Sequence, residues 1–173
     1  TGTVGQRMIQ LLDGHPWFET TAVAASDNSA GKPYASAVHW QLDTPIPESV
    51  ARLTVQACQP GLACDFALSG LPTNIAKTAE AALADSGMPV ISNAGSYRME
   101  ADVPLLIPEI NPDHLDAVAA QKKRTGSKGF IVTNPNCSTI GLVFPLAVLQ
   151  RQLDRKSTRL NSSHVSESRM PSS

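Results

Sequence analysis

Apolar positions along this chain change spacing repeatedly, and each change marks an element. Val4, Met8, Ile9, Leu11 and Leu12 recur at helical intervals, and Gly14 supplies a stop. Residues 20–25 (TTAVAA) form a short apolar run with the character of a buried strand. Residues 53–57, 66–69, 90–92 and 130–133 are further short strand candidates. A helix is expected from a cap at Thr73 or Asn74 to about Asp85, with Ile75, Ala79, Ala82 and Leu83 on one face and Gly87 ending it. Residues 112–121 start with a proline where the first helical turn tolerates one, and residues 140–149 are apolar and helix-like. Residues 26–32 form a polar loop, and residues 39–47 are irregular, because Pro45 and Pro47 argue against a central strand.

Strands alternating with helices imply an α/β chain of the Rossmann type, a doubly wound parallel sheet. No internal repeat is visible. A phosphate-binding glycine turn normally follows a strand, yet Gly2-x-x-Gly5 has none before it. The expectation is a sheet lacking its first strand and first glycine, with the start of a catalytic domain that is cut off. Residues 1–133 would be the dinucleotide-binding domain, and residues 134–153 the nucleophile loop and first helix of the next. Residues 154–173 are polar, serine-rich and without period, as in a disordered tail. Their sequence also resembles an in-frame translation of a sequencing adapter, so they are set aside from the fold, His164 included.

Composition narrows the class. The chain has 173 residues, 42% hydrophobic and 17% charged, enough for one domain with a sizeable core. A net charge of -1 points away from nucleic acid and anionic membrane surfaces as partners. No apolar run approaches the ~20 residues of a membrane span. Cys58, Cys64 and Cys137 have no metal-ligand spacing, so no metal is expected. Their odd number suggests free thiols in a reducing, cytoplasmic setting. Cys58 and Cys64 flank a Pro60-Gly61 turn and read as small structural hydrophobes.

The chemistry concentrates at two places. Asn134-Pro135-Asn136-Cys137-Ser138-Thr139 sets a cysteine between a turn and an apolar helix. A thiol at a helix start lies near unpaired N–H groups and the positive end of the macrodipole, which favours the nucleophilic thiolate. Gly2-x-x-Gly5 would let backbone N–H groups approach a pyrophosphate at a helix start. The end of the second strand of such a fold selects between NAD and NADP. Ser26, Ser29 and Lys32 offer hydroxyls and a cation that suit a 2′-phosphate, hence NADP; Asp27 leaves NAD open. His15, His39 and His114 read as surface or structural groups, and Tyr97 and Trp40 as packing.

Five segments follow one another along residues 1–153: Thr1-Gly2-Thr3-Val4-Gly5-Gln6, Ala25-Ser26 with Ser29-Ala30-Gly31-Lys32, Ser92-Asn93-Ala94-Gly95-Ser96-Tyr97-Arg98-Met99, Val103-Pro104-Leu105-Leu106-Ile107-Pro108-Glu109-Ile110-Asn111, and the Asn-Pro-Asn-Cys segment. Their order resembles that in aspartate-semialdehyde dehydrogenases, most of all the archaeal and fungal type. The resemblance implies a phosphorylating aldehyde dehydrogenase using NADPH or NADP, on the route to lysine, threonine and methionine. It makes Cys137 the nucleophile, Arg98 a ligand of the substrate phosphate and Asn136 an active-site amide. It places Thr1, Gly2, Thr3, Val4 and Gly5 in the dinucleotide loop, and Ser26, Ser29 and Lys32 at the adenosine 2′-phosphate. Asn28 departs from the basic residue often found there.

The partners implied are a small-molecule substrate and phosphate, with a homo-oligomeric parent, dimer or tetramer. The family's acid/base histidine and carboxylate-binding arginine match no residue here, so this chain itself is expected to be inactive. Malonyl-CoA reductase, another acyl-phosphate reductase of the superfamily, or a nucleotide-binding module without turnover are the alternatives.

Overall fold

Five short strands, every pair parallel, are threaded through helices in the computed structural model, which describes residues 2–25 and 28–153. Thr1, Ser26, Asp27 and the adapter-like residues 154–173 lie outside the described residues. The order is α1 (Thr3–Leu12), β1 (Val23–Ala25), α2 (Tyr34–Ala37), α3 (Glu48–Ala51), β2 (Val55–Ala57), β3 (Ala67–Ser69), α4 (Thr73–Asp85), β4 (Pro89–Ser92), a 3-10 turn (Pro112–Asp116), α5 (Ala117–Thr125), β5 (Phe130–Thr133) and α6 (Cys137–Leu153). This is the α/β, parallel architecture the alternation predicts. The strands form two sheets, β1-β2 and β3-β4-β5. The strand at 20–25 is shorter than its apolar run, because only Val23–Ala25 has a paired neighbour.

Two apolar clusters hold these sheets. One gathers Ile9, Val23, Ala25, Tyr34, Val50 and Val55, and the other gathers Leu83, Ala84, Met88, Val90, Val103 and Ile131. The short helices α2 and α3, absent from the sequence reading, each start after a proline cap, Pro33 and Pro47. The irregular stretch around His39 is tied down by Gln6 of α1. Its amide donates to the His39 carbonyl at 2.9 Å and its oxygen accepts the Gln41 N–H at 2.8 Å.

Helix α4 departs from expectation in two ways. Pro72, not Thr73 or Asn74, occupies the cap position, and no side chain caps the helix. The buried face carries Ala76, Glu80, Leu83 and Ala84, while Ile75 is 44% exposed. Glu80 is the cause. Its carboxylate is fully buried and accepts bonds from the Ser69 hydroxyl at 2.5 Å and the Ser92 hydroxyl at 2.7 Å. A buried carboxylate needs such donors, and supplying them rotates a charged position inward.

Helix α5 runs to Thr125, beyond the expected residue 121, and ends on left-handed Gly126. Its Gln121 acts as a substitute strand. The Gln121 oxygen accepts the Ile131 N–H at 2.6 Å, and its amide donates to the Ile131 and Asp102 carbonyls, each at 3.0 Å. Gly129 then passes against the end of α4, where Ser127 donates to the Ala84 carbonyl at 2.6 Å and accepts the Gly129 N–H at 3.0 Å.

The chain divides at Cys137, with residues up to Cys137 forming one unit. Helix α6, taken by itself, starts at Cys137 and contains Pro145, whose missing N–H leaves the Gly141 carbonyl without its helical bond. No helix among the described residues is long and apolar enough to cross a membrane.

Candidate active site

The register of the second sheet builds one rim. Ser69 pairs with Ser92 and Ser92 with Thr133, and each is the last residue of its strand. The residues that follow, Gly70, Asn93 and Asn134, therefore emerge side by side at the carboxyl ends of parallel strands, where open α/β sheets bind ligands. The Asn93 N–H donates to the Ser69 carbonyl and the Asn134 N–H to the Ser92 carbonyl, each at 2.9 Å. The Asn134 amide also donates to the Asn93 side-chain oxygen. Glu80 braces this rim from below through Ser69 and Ser92, and the Ser92 hydroxyl accepts the Ala94 N–H at 3.0 Å.

Arg98 joins two of these loops. Its Nε donates to the Asn134 carbonyl at 2.8 Å and its Nη2 to the Asn93 carbonyl at 2.7 Å. The half-buried guanidinium is thus anchored three residues before Cys137, with the rest of its roughly five N–H donors available to an anion. Asn136 and Cys137 are exposed beyond buried Pro135. On the far side of β5, the Leu106 N–H donates to the Thr133 carbonyl at 2.9 Å, and the Thr133 N–H to the Pro104 carbonyl at 2.8 Å. The Val103-to-Asn111 segment thereby holds the strand that delivers the cysteine loop.

The three thiols differ in setting. Burial, aided by nearby Glu80, pushes the Cys58 thiol up, and burial with Asp65 does the same to Cys64. Both stay protonated at neutral pH and pack against the second apolar cluster. Cys137 is exposed. Iodoacetamide at pH 7.5 is therefore expected to label Cys137 at least about tenfold faster than the other two, since the thiolate is the reacting form. Peptide mass mapping over time checks this; equal rates at all three would contradict it. Raising the pH toward 10 should bring up the Cys58 and Cys64 rates only above the ordinary thiol range.

Gly2 precedes α1 in extended backbone, and Thr3, Val4 and Gly5 form its first turn. Val4 packs at Gly70: a Cβ placed there would meet Val4 Cγ1 at 3.1 Å. The glycine turn therefore reaches the same rim as Asn93 and Asn134. Ser29 and Lys32 lie in the turn after β1, where Lys32 Nζ donates to the Asn28 carbonyl at 3.1 Å. No hydrogen bond among the described residues joins that turn to the glycine turn. Asn93 and Asn134 stand in the motifs read from sequence but were given no role of their own there, and the buried Glu80 was not singled out. The signal available was a serine ending two successive strands.

The residues present suit a dinucleotide. Helix α1 has ten residues, and a Cβ at Gly2 or Gly5 would meet nothing within 4 Å, so its N-terminal turn is open to a phosphate. Lys32 and Ser29 supply a cation and a hydroxyl, the donor set a 2′-phosphate takes. Among the described residues no group of three or more His, Cys, Asp or Glu side chains is placed to hold a metal ion.

Known proteins resemble this arrangement closely. A family model described as "Semialdehyde dehydrogenase, NAD binding domain" matches residues 1–118. An aspartate-semialdehyde dehydrogenase from Methanothermobacter thermautotrophicus is 51% identical over 148 residues, covering 84% of this chain and 42% of the relative. That of Cryptococcus neoformans is 46% identical over 156 residues, covering 87% and 43%. The crystal structure of the Candida albicans aspartate-semialdehyde dehydrogenase with NADP superposes with a TM-score of 0.81 at 42% identity, covering 90% of this chain and 46% of that one. The chain thus spans less than half the length of these relatives.

Proposed function

The chain belongs to the semialdehyde dehydrogenase family, and from that membership we propose that the whole protein is an NADP-dependent aspartate-semialdehyde dehydrogenase working through a thioester on Cys137. The observation that supports it best is the Arg98 guanidinium fixed to the Asn93 and Asn134 carbonyls beside the cysteine loop. An anion-binding fork and an exposed thiol are what acyl-phosphate chemistry requires.

In the oxidative direction the Cys137 thiolate adds to the aldehyde carbon, a C–S bond forms, and the carbonyl pair moves to oxygen. Donors for that oxyanion are the Asn136 amide and backbone N–H groups at the start of α6. NADP, when bound, supplies the hydride acceptor in this direction and its reduced form the donor in reverse. A phosphate oxygen held by Arg98 then attacks the thioester carbon. The C–S bond breaks, aspartyl phosphate departs, and the thiolate is regenerated. Cysteine suits both halves, being a strong nucleophile and a good leaving group.

Gly2 to Gly5, with Thr1, would cradle the pyrophosphate, and Ser29 and Lys32, with Ser26, the 2′-phosphate. The substrate is small, phosphate is the second reactant, and the working form is a cytoplasmic homo-oligomer. Residues 134–153 would hold the nucleophile loop and first helix of the catalytic domain.

The test is phosphate-dependent reduction of NADP by the whole protein with aspartate semialdehyde. Turnover without a phosphate requirement, or none with this aldehyde, would overturn the proposal. Cofactor choice has its own readout. Lys32→Ala should weaken NADPH binding about tenfold, the scale of a charge-assisted bond. It should leave NADH binding unchanged, as measured by fluorescence titration.

A further inference from the structure

Glu80 is a buried acid that the reaction proposed above does not use. It lies on α4 with no exposed surface, and only one of its oxygens is engaged. Oε1 accepts the Ser69 hydroxyl at 2.5 Å and the Ser92 hydroxyl at 2.7 Å, whereas Oε2 has no hydrogen-bond partner among the described residues. Burying a carboxylate with one bare oxygen is costly, and an apolar side chain at this position would avoid that cost. What the carboxylate supplies is direction. A hydroxyl has one proton and two lone pairs, and a carboxylate can only accept. Both serine protons are therefore committed to Glu80, and the serine lone pairs are left for the backbone beyond the strand ends. The Ser92 hydroxyl accepts the Ala94 N–H at 3.0 Å, and the Ser69 hydroxyl accepts the Leu71 N–H at 3.5 Å. The first is a sound hydrogen bond and the second lies at the limit of one, so the loop after β4 is held more firmly than the loop after β3.

Ala94 directly follows Asn93. The Asn93 carbonyl accepts Arg98 Nη2 at 2.7 Å, and the Asn93 side-chain oxygen accepts the Asn134 amide. The Asn134 carbonyl accepts Arg98 Nε at 2.8 Å. Bonds thus run from Glu80 through Ser92 and the Ala94 N–H to both carbonyls that aim the guanidinium. We infer that Glu80 is a positioning residue for Arg98: it fixes the loop after β4 so that the guanidinium fork is held ready for the phosphate. The phosphate part of this rests on the reaction proposed above; the aiming of Arg98 does not.

Two measurements test it on Glu80→Ala, Glu80→Gln, Ser92→Ala and Ser127→Ala. Ser127 ties the loop before β5 to the end of α4, at the opposite end of the sheet, so its loss lowers stability away from the rim. The first measurement is proton exchange at Arg98 Nε, followed by NMR in the full chain. Glu80→Ala and Ser92→Ala should speed it at least about tenfold. Ser127→Ala should change it less than about threefold, and so should Glu80→Gln, because glutamine keeps an acceptor oxygen for both hydroxyls. The second is turnover of the whole protein. Glu80→Ala and Ser92→Ala should raise the KM for phosphate about tenfold and leave the KM for NADP within about twofold.

Arg98 exchange within about twofold of the parent in Glu80→Ala would overturn the inference, and Ser92→Ala decides by the same criterion where Glu80→Ala does not fold. Equal acceleration in Ser127→Ala would overturn it too, reducing Glu80 to a stability determinant. So would an unchanged KM for phosphate in a protein that requires phosphate. A parent that turns over without phosphate would instead overturn the reaction, and the Arg98 exchange would still decide the role of Glu80.

Discussion

Cys137→Ser is expected to lower phosphate-dependent turnover of the whole protein by at least about 10⁴-fold, since removing a catalytic nucleophile can cost roughly 10⁶. Serine keeps the size and position of the side chain, and Cys137 is exposed, so the fold should not change. What changes is the chemistry. A hydroxyl is far less ionised at neutral pH, so the first C–S bond has only a feeble C–O counterpart. An alkoxide also leaves poorly, so phosphate attack on the resulting ester would stall. NADPH affinity should stay within about twofold, because nothing at α1 or Lys32 is touched. Cys58→Ser and Cys64→Ser should keep most of the activity, since both thiols pack against the second apolar cluster. A Cys137→Ser enzyme with more than about a tenth of the normal rate would rule out the thioester. So would failure to trap an acyl group on Cys137 by rapid quench and mass mapping.

Gly129→Ala is expected to cost about 3 kcal/mol or more, lowering the melting temperature by roughly 10 °C. An added Cβ would lie 2.1 Å from the Ala84 oxygen, 2.7 Å from the Met88 nitrogen and 2.8 Å from the Gly87 carbon. All three are backbone atoms, so no rotamer change relieves the clash. The loop must lift away, and with it go the Ser127 bonds to Ala84 and Gly129 and the pairing of Pro89 with Phe130. Gly5→Ala provides the contrast. Nothing lies within 4 Å of a Cβ there, and alanine favours a helix, so stability should hold or rise slightly. NADPH binding should nevertheless fall if the first turn of α1 meets the pyrophosphate. A thermal melt and a cofactor titration of the two variants separate these effects; a Gly129→Ala protein melting within about 3 °C of the parent would contradict the packing argument.

Residues 130–133 were legible as a strand to the residue, and α1 and α4 nearly so, because glycine, proline and strong periodicity mark their ends. Cys137 stood out in the sequence by its turn-forming neighbours and the apolar helix after it, and Arg98 through the family resemblance; the role of each is what we propose above. Hidden from sequence were the contacts that span it. Arg98 bonds a carbonyl 36 positions away, and nothing local encodes that. Glu80, Gln6 and Gln121 are polar residues inside helices, and a hydrophobic pattern assigns them to solvent. Each is inside because backbone or hydroxyl groups of another segment answer it.

The substitute-strand role of Gln121 bears on how such a protein misassembles. An uncovered sheet border recruits other chains, and that recruitment is the start of fibrils and amorphous precipitates. Here the outer border of β5 is closed at Ile131 by a glutamine and at Thr133 by the Pro104-to-Leu106 backbone. The outer border of β2 is engaged at Val55 by Gly31 and Lys32. Both of these borders are thus guarded against pairing with another chain.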